Sequence, residues 1–197
     1  MENVNLFDNS LTAIEYANHA EEKDWLLSIA TDLKESCVNI NNFNHSLVFQ
    51  TVSTLHMNNA FNNFVTSNEL KNFCSKKIHD CILPRDKKFS CTSMWATFIP
   101  PYGQLVPKEH DGVFFGSYFL HSPPDSTMMT FYSDVSDLYF AKFGNVLHNE
   151  YNHNIRTLSM PEGGIYFNPS YIKTGTTTNM SENTNVMINF VLDIVEK

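Results

Sequence analysis

The sequence predicts a mainly β fold, a double-stranded β-helix or jelly roll backed by N-terminal helices, and three observations predict it. From Lys88 onward the chain breaks into short segments rich in β-branched and aromatic residues. These lie about 8 to 12 residues apart, separated by Pro, Gly and Asn, which is the pattern of a sandwich or barrel. Before Lys88, apolar residues recur instead at helical spacing. No linker, internal repeat or low-complexity tract interrupts the 197 residues. One domain is therefore expected, with residues 1–87 as a helical support layer carrying the first strands and 88–197 as the jelly-roll core.

Each element has its own signal. Trp25, Leu26, Ile29, Ala30, Leu33 and Cys37 fall on one face after a Glu-rich first turn, so a docked amphipathic helix is expected there. Residues 46–55 are β-branched and read as a short strand, and residues 58–63 as a polar, Asn-rich connection. A second helix fits 67–82: Ser67 can cap it, Glu69 lies in its first turn, and Leu70, Phe73, Cys74, Ile78 and Cys81 form an apolar stripe. Strands are expected near 89–98, 113–121, 128–132, 138–142, 155–159, 164–167 and 185–195, with PPYGQ, SPPDS and PEGG as turns. The last strand should be central, with Val186, Ile188 and Phe190 alternating inward against Tyr118 and Phe119.

Composition narrows the function. Hydrophobic residues at 42%, aromatics at 13% and charged residues at 17% exclude a disordered chain, a collagen or a coiled coil. A formal charge of −8 has the wrong sign for a nucleic-acid binder, so no nucleic-acid partner is expected. The chain has no apolar run near the ~18 to 20 residues that span a bilayer, so no membrane partner is expected either. The four cysteines form no CxxC pair, and MENVNLFDNS lacks the basic-then-apolar build of a signal peptide. A cytoplasmic protein with reduced thiols is the expectation. Only two arginines, Arg85 and Arg156, accompany 23 asparagines, a skew that suits the codon bias of an AT-rich genome such as many bacteriophages carry.

The stretch Met160-Pro161-Glu162-Gly163-Gly164-Ile165-Tyr166-Phe167-Asn168-Pro169-Ser170-Tyr171 carries a turn, a short apolar strand and a Pro-Ser that opens another connection. It resembles the "P-x-G-D, apolar strand, F-P-S-W" segment of the 2-oxoglutarate and Fe(II) dependent oxygenases, in the small family found in bacteriophages and marine bacteria. The match runs on through Gly175, Asn179 and Ser181 into the final strand. Upstream, Trp95-Ala96-Thr97-Phe98, Gly103 and Phe115-Gly116-Ser117-Tyr118-Phe119 resemble that family's Trp-Ala strand, Gly turn and "S-G-x-Y-Y" strand. The resemblance implies a cupin-like barrel and the cofactors Fe(II) and 2-oxoglutarate.

Such enzymes hold iron with two imidazoles and one carboxylate on one octahedral face. A further cation, an arginine by preference, pairs with the far carboxylate of 2-oxoglutarate. On the family's register, the first two ligand positions fall on Lys108 and His110, the distal histidine on Thr174 and the cofactor arginine on Asn185. An ammonium is repelled by Fe(II) and a hydroxyl is a poor ligand beside imidazole, so weak iron affinity is expected. Shifting the register makes His110-Asp111-Gly112 resemble the His-x-Gly of iron halogenases, but no histidine follows His153 to complete that site. Tyr118 and Tyr132, with Asn185, are the candidates for lining a 2-oxoglutarate pocket.

The remaining polar candidates read more simply. His148, Glu150 and His153 belong to a solvated variable loop, His19 and Glu21 to the helix surface, and His121 to the barrel interior or rim near His110. Cys74 and Cys91 pack as small apolar groups. Ser117 lacks the G-x-S-x-G elbow of a nucleophile, and the chain has no Walker loop, GxGxxG or zinc-ribbon spacing. Two functions follow. One is an oxygenase-like jelly roll with a degenerate triad, needing no cofactor and serving as a binding or assembly scaffold for a small molecule or protein. The other is an active dioxygenase that hydroxylates a C–H bond with Fe(II) and 2-oxoglutarate, using a non-standard ligand set around His110.

Overall fold

The computed structural model describes residues 2–6, 9–36, 38–39, 48–81, 86–132 and 155–196. The expected strand at 138–142, the stretch holding His148, Glu150 and His153, and Cys37 lie outside the described residues. In chain order the elements are β1 (Glu2–Leu6), β2 (Asn9–Glu15), α1 (His19–Asp32), β3 (Val38–Asn39), β4 (Phe49–Gln50), α2 (Asn62–Val65) and α3 (Asn68–Cys81). Then come β5 (Lys87–Ile99), β6 (Phe114–His121), β7 (Met129–Tyr132), β8 (Ile155–Leu158), β9 (Gly164–Pro169), β10 (Lys173–Thr176) and β11 (Asn185–Glu196). Eight strands form one antiparallel sheet in the order β1-β2-β9-β6-β11-β5-β4-β3, and β10-β7-β8 form a second. This is the expected jelly roll with helices on one side, and no described helix is long and apolar enough to cross a membrane.

Both faces of the large sheet are buried, which sorts its residues by parity. One face carries Tyr118, Ile165, Phe167, Val186, Ile188 and Phe190 against Leu26, Ala30, Phe61, Phe64 and Phe73 of the helical layer. The other carries Trp95, Phe115, Phe119, Met187 and Val191 against Met129 and Phe131 of the small sheet. β11 is indeed central, flanked by β5 and β6, with Ile188 opposite Ala96 and Tyr118. The expected partner Phe119, however, lies on the opposite face, because neighbouring residues of a strand cannot share one. Gly116 leaves room for the ring of its cross-strand partner Phe190, which a Cβ there would overlap.

Corrections concentrate in the N-terminal half. Trp25 is 47% exposed, lying about a quarter-turn from the stripe that Leu26 and Ala30 centre. The 46–55 strand shrinks to β4, whose two residues pair with Phe98 and Thr97, and a 3-10 turn follows at Leu55–Met57. The polar connection is a 3-10 turn, Asn59–Phe61, running into α2. There Asn58 accepts from the Ala60 amide at 3.0 Å, while Phe61 and Phe64 enter the core. α3 matches the expected helix, with the Ser67 hydroxyl accepting from the Leu70 amide at 3.4 Å and Leu70 and Phe73 buried. The β1–β2 hairpin and β10 were not expected. β10 reads Lys-Thr-Gly-Thr and has no apolar alternation to signal it.

Candidate functional site

The chain after the PPYGQ turn runs alongside β10. The Thr176 amide donates to the Leu105 carbonyl at 3.1 Å, Lys108 and Thr174 exchange amide bonds at 3.1 and 2.9 Å, and the His110 amide donates to the Ser170 carbonyl at 3.1 Å. This pairing brings Lys108, His110 and Thr174 together. The imidazole lies flat on Phe115, centroids 3.6 Å apart at 5°, and faces Trp95 at 5.8 Å. Its Nε2 is hydrogen-bonded to the Thr174 hydroxyl at 3.1 Å. The Lys108 ammonium lies 5.9 Å from the Trp95 ring centroid. Burial, and then the Lys108 charge, press the His110 pKa down to about 3, so the ring is neutral at neutral pH. Partial burial also holds the Lys108 pKa below that of a free lysine.

The interior beside these groups is almost filled. The cavity that His110 shares with Gln50, Trp95, Thr174, Met187 and Asn189 measures ≈ 20 Å³, room for about one water. A chain of side-chain hydrogen bonds takes up the space: Gln50 and Asn189 both donate to the Thr97 hydroxyl, at 3.0 and 2.7 Å, and Ser117 donates to Asn189 Oδ1 at 2.7 Å.

These residues do not fit iron or 2-oxoglutarate. The donor set is one imidazole, one ammonium and one hydroxyl, and the imidazole is already bonded to the hydroxyl. Among the described residues no three His, Cys, Asp or Glu side chains gather as a metal site, so the His110-Asp111-Gly112 register gains no second imidazole there. The ten heavy atoms of 2-oxoglutarate have no space in that cavity, and the wider groove of ≈ 250 Å³ that His110 and Lys108 also line carries three carboxylates, Glu109, Asp111 and Asp193, which oppose a dianion.

The other candidates are dispersed. Tyr118 faces the helices rather than the barrel, fully buried, its hydroxyl 2.7 Å from His19 Nδ1 and its ring stacked 4.9 Å from Phe64. Burial, then the nearby Tyr16, Glu22 and Glu162, raise its pKa well above the ordinary tyrosine value. Tyr132 ends β7 beside Lys173, and alternation carries it away from the inward-facing Phe131. Asn185 is fully buried but does not line the His110 cavity; Asn189, further along β11, does. Ser117 is committed to Asn189. Cys74 and Cys91 are half-buried, their thiols pushed up to about 11 and about 12 by burial, and are poor nucleophiles.

His121 does not approach His110. It bonds Glu162, a residue the sequence reading did not single out. Glu162 sits in the PEGG turn, where Gly163 adopts φ 84°. One carboxylate oxygen takes the Lys23 ammonium at 2.5 Å, with His19 Nε2 at 3.6 Å. The other takes His121 Nδ1 at 3.1 Å and the Ser122 amide at 2.8 Å. His19 is therefore half-buried in a network rather than simply surface, whereas Glu21 is exposed as expected. Burial raises the Glu162 pKa, but the bonds from Lys23, Ser122 and His121 outweigh it and hold the carboxyl at about 2. The cluster ties α1 to the end of β6 and to the β8–β9 turn. Because the folded pKa lies below the unfolded value of 4.5, its contribution is full above that pH and is lost as pH falls toward about 2. Glu162→Gln is expected to cost roughly 1–2 kcal/mol in urea unfolding at pH 7 and to flatten the stability profile below pH 4.5.

No family model matches the chain, and no curated protein matches it in sequence. Solved structures resemble it closely in fold. The non-heme α-ketoglutarate dependent epimerase SnoN from nogalamycin biosynthesis superposes with a TM-score of 0.71 at 11% identity, over 96% of this chain and 81% of that one. HygX from Streptomyces hygroscopicus, solved with nickel and 2-oxoglutarate bound, gives 0.65 at 9% identity over 94% and 83%. A 2OG-Fe(II) oxygenase family oxidoreductase from Burkholderia pseudomallei gives 0.63 at 8% identity over 93% and 84%. The fold is thus the jelly roll of 2-oxoglutarate/Fe(II) oxygenases.

Proposed function

We propose that this chain is an oxygenase-like jelly-roll protein with a degenerate facial triad, acting in a cytoplasm as a binding or assembly scaffold for a small molecule or protein. One observation carries the reading: at the positions to which the sequence resemblance assigns the ligands, His110 is bonded to Thr174 beside Lys108, next to a cavity with room for about one water. The active alternative needs a second metal-binding side chain and space for the co-substrate. Function resides in the site and not in the barrel, so the fold alone does not decide between them.

Metal analysis and calorimetry test this directly. Protein purified without chelator is expected to hold no stoichiometric iron, to bind Fe(II) or Mn(II) weakly, and to release no succinate from 2-oxoglutarate. The double variant Lys108→His plus Thr174→His should gain at least about tenfold in Mn(II) affinity, about 1.4 kcal/mol, because each added imidazole is a good ligand. Wild-type protein that binds Fe(II) at micromolar concentration and turns over 2-oxoglutarate would establish the active alternative. A double variant folded by circular dichroism with no gain in affinity would also reject the degenerate-triad reading.

A further inference from the structure

We draw no further inference here: the strongest candidate, the groove of ≈ 250 Å³ that Lys108, His110 and Trp95 line beside the carboxylates of Glu109, Asp111 and Asp193, carries nothing, because an acidic cluster alone does not name a ligand and the unpartnered Trp95 indole N–H at its wall is buried out of reach of one.

Discussion

Ile188→Asp is expected to abolish stable folding at 25 °C. Ile188 is fully buried in β11, hydrogen-bonded on one side to β5 and on the other to β6, with Ala96 and Tyr118 as its lateral neighbours. A carboxylate there loses its hydration, meets no cation and displaces apolar contacts with the helical layer. Breaking a core with an unpaired charge costs of order 4–5 kcal/mol, most of the stability of an ordinary domain. The matched control is Ile194→Asp, at a site 38% exposed toward the end of the same strand, where the cost should be below about 1 kcal/mol. Urea unfolding followed by circular dichroism measures both. A β11 variant melting within a degree or two of the parent, on the scale that ~0.5 kcal/mol moves a domain of this size, would remove Ile188 from the core.

Acid should weaken the protein through His110 before it does so through the carboxylates. In the native state the imidazole is held neutral down to about 3, whereas in the unfolded chain it takes a proton near 6.5. Between these values the unfolded state binds one more proton, so stability falls as pH is lowered and levels off below about 3. The full excursion is at most about 4 kcal/mol, from ~1.4 kcal/mol per pH unit reduced for the ring's partial exposure. His110→Phe keeps a ring for Phe115 and Trp95 to pack on and has nothing to titrate. Urea midpoints at pH 4, 5, 6 and 7 should therefore slope in the parent and lie flat in the variant above pH 5. Equal slopes in the two would show that native His110 takes up its proton over the same pH range as in the unfolded chain. The Glu162 contribution falls in a lower window, below 4.5, and is separable.

What the sequence disclosed follows from which forces are local. β5, β6 and β11 were legible because long β-branched and aromatic runs with no helical period allow little else, and α3 because Ser67 and the Leu70–Phe73 stripe agree. Which way Tyr118 faces was not legible. β6 is buried along both faces, so polar alternation, the usual compass, is missing. Phe61 and Phe64 hid among asparagines that are themselves exposed, one of which, Asn58, caps the short turn that carries Phe61 inward. The meeting of Lys108, His110 and Thr174 was readable by resemblance alone. The filling of the interior was not, because Gln50, Thr97, Ser117 and Asn189 come from four separate strands and only the folded sheet aligns them. The Glu162 cluster was hidden for the same reason: its partners come from α1 and from the end of β6.

The chain from Gln50 through Thr97 and Asn189 to Ser117 also bears on ancestry and on reversal. Each member answers a neighbour's hydrogen bond in a place water barely reaches, so replacing any one alone strands a polar atom and lowers fitness at that step. These four positions are expected to drift together or not at all. A lineage that reached this interior from an open, cofactor-sized one would thus find the return path rugged. Restored ligands could regain metal, but paired substitutions at Asn189 and Ser117 would have to reopen the interior before a co-substrate gained a place beside it. Loss of the site, once the interior had closed around it, would behave as a ratchet.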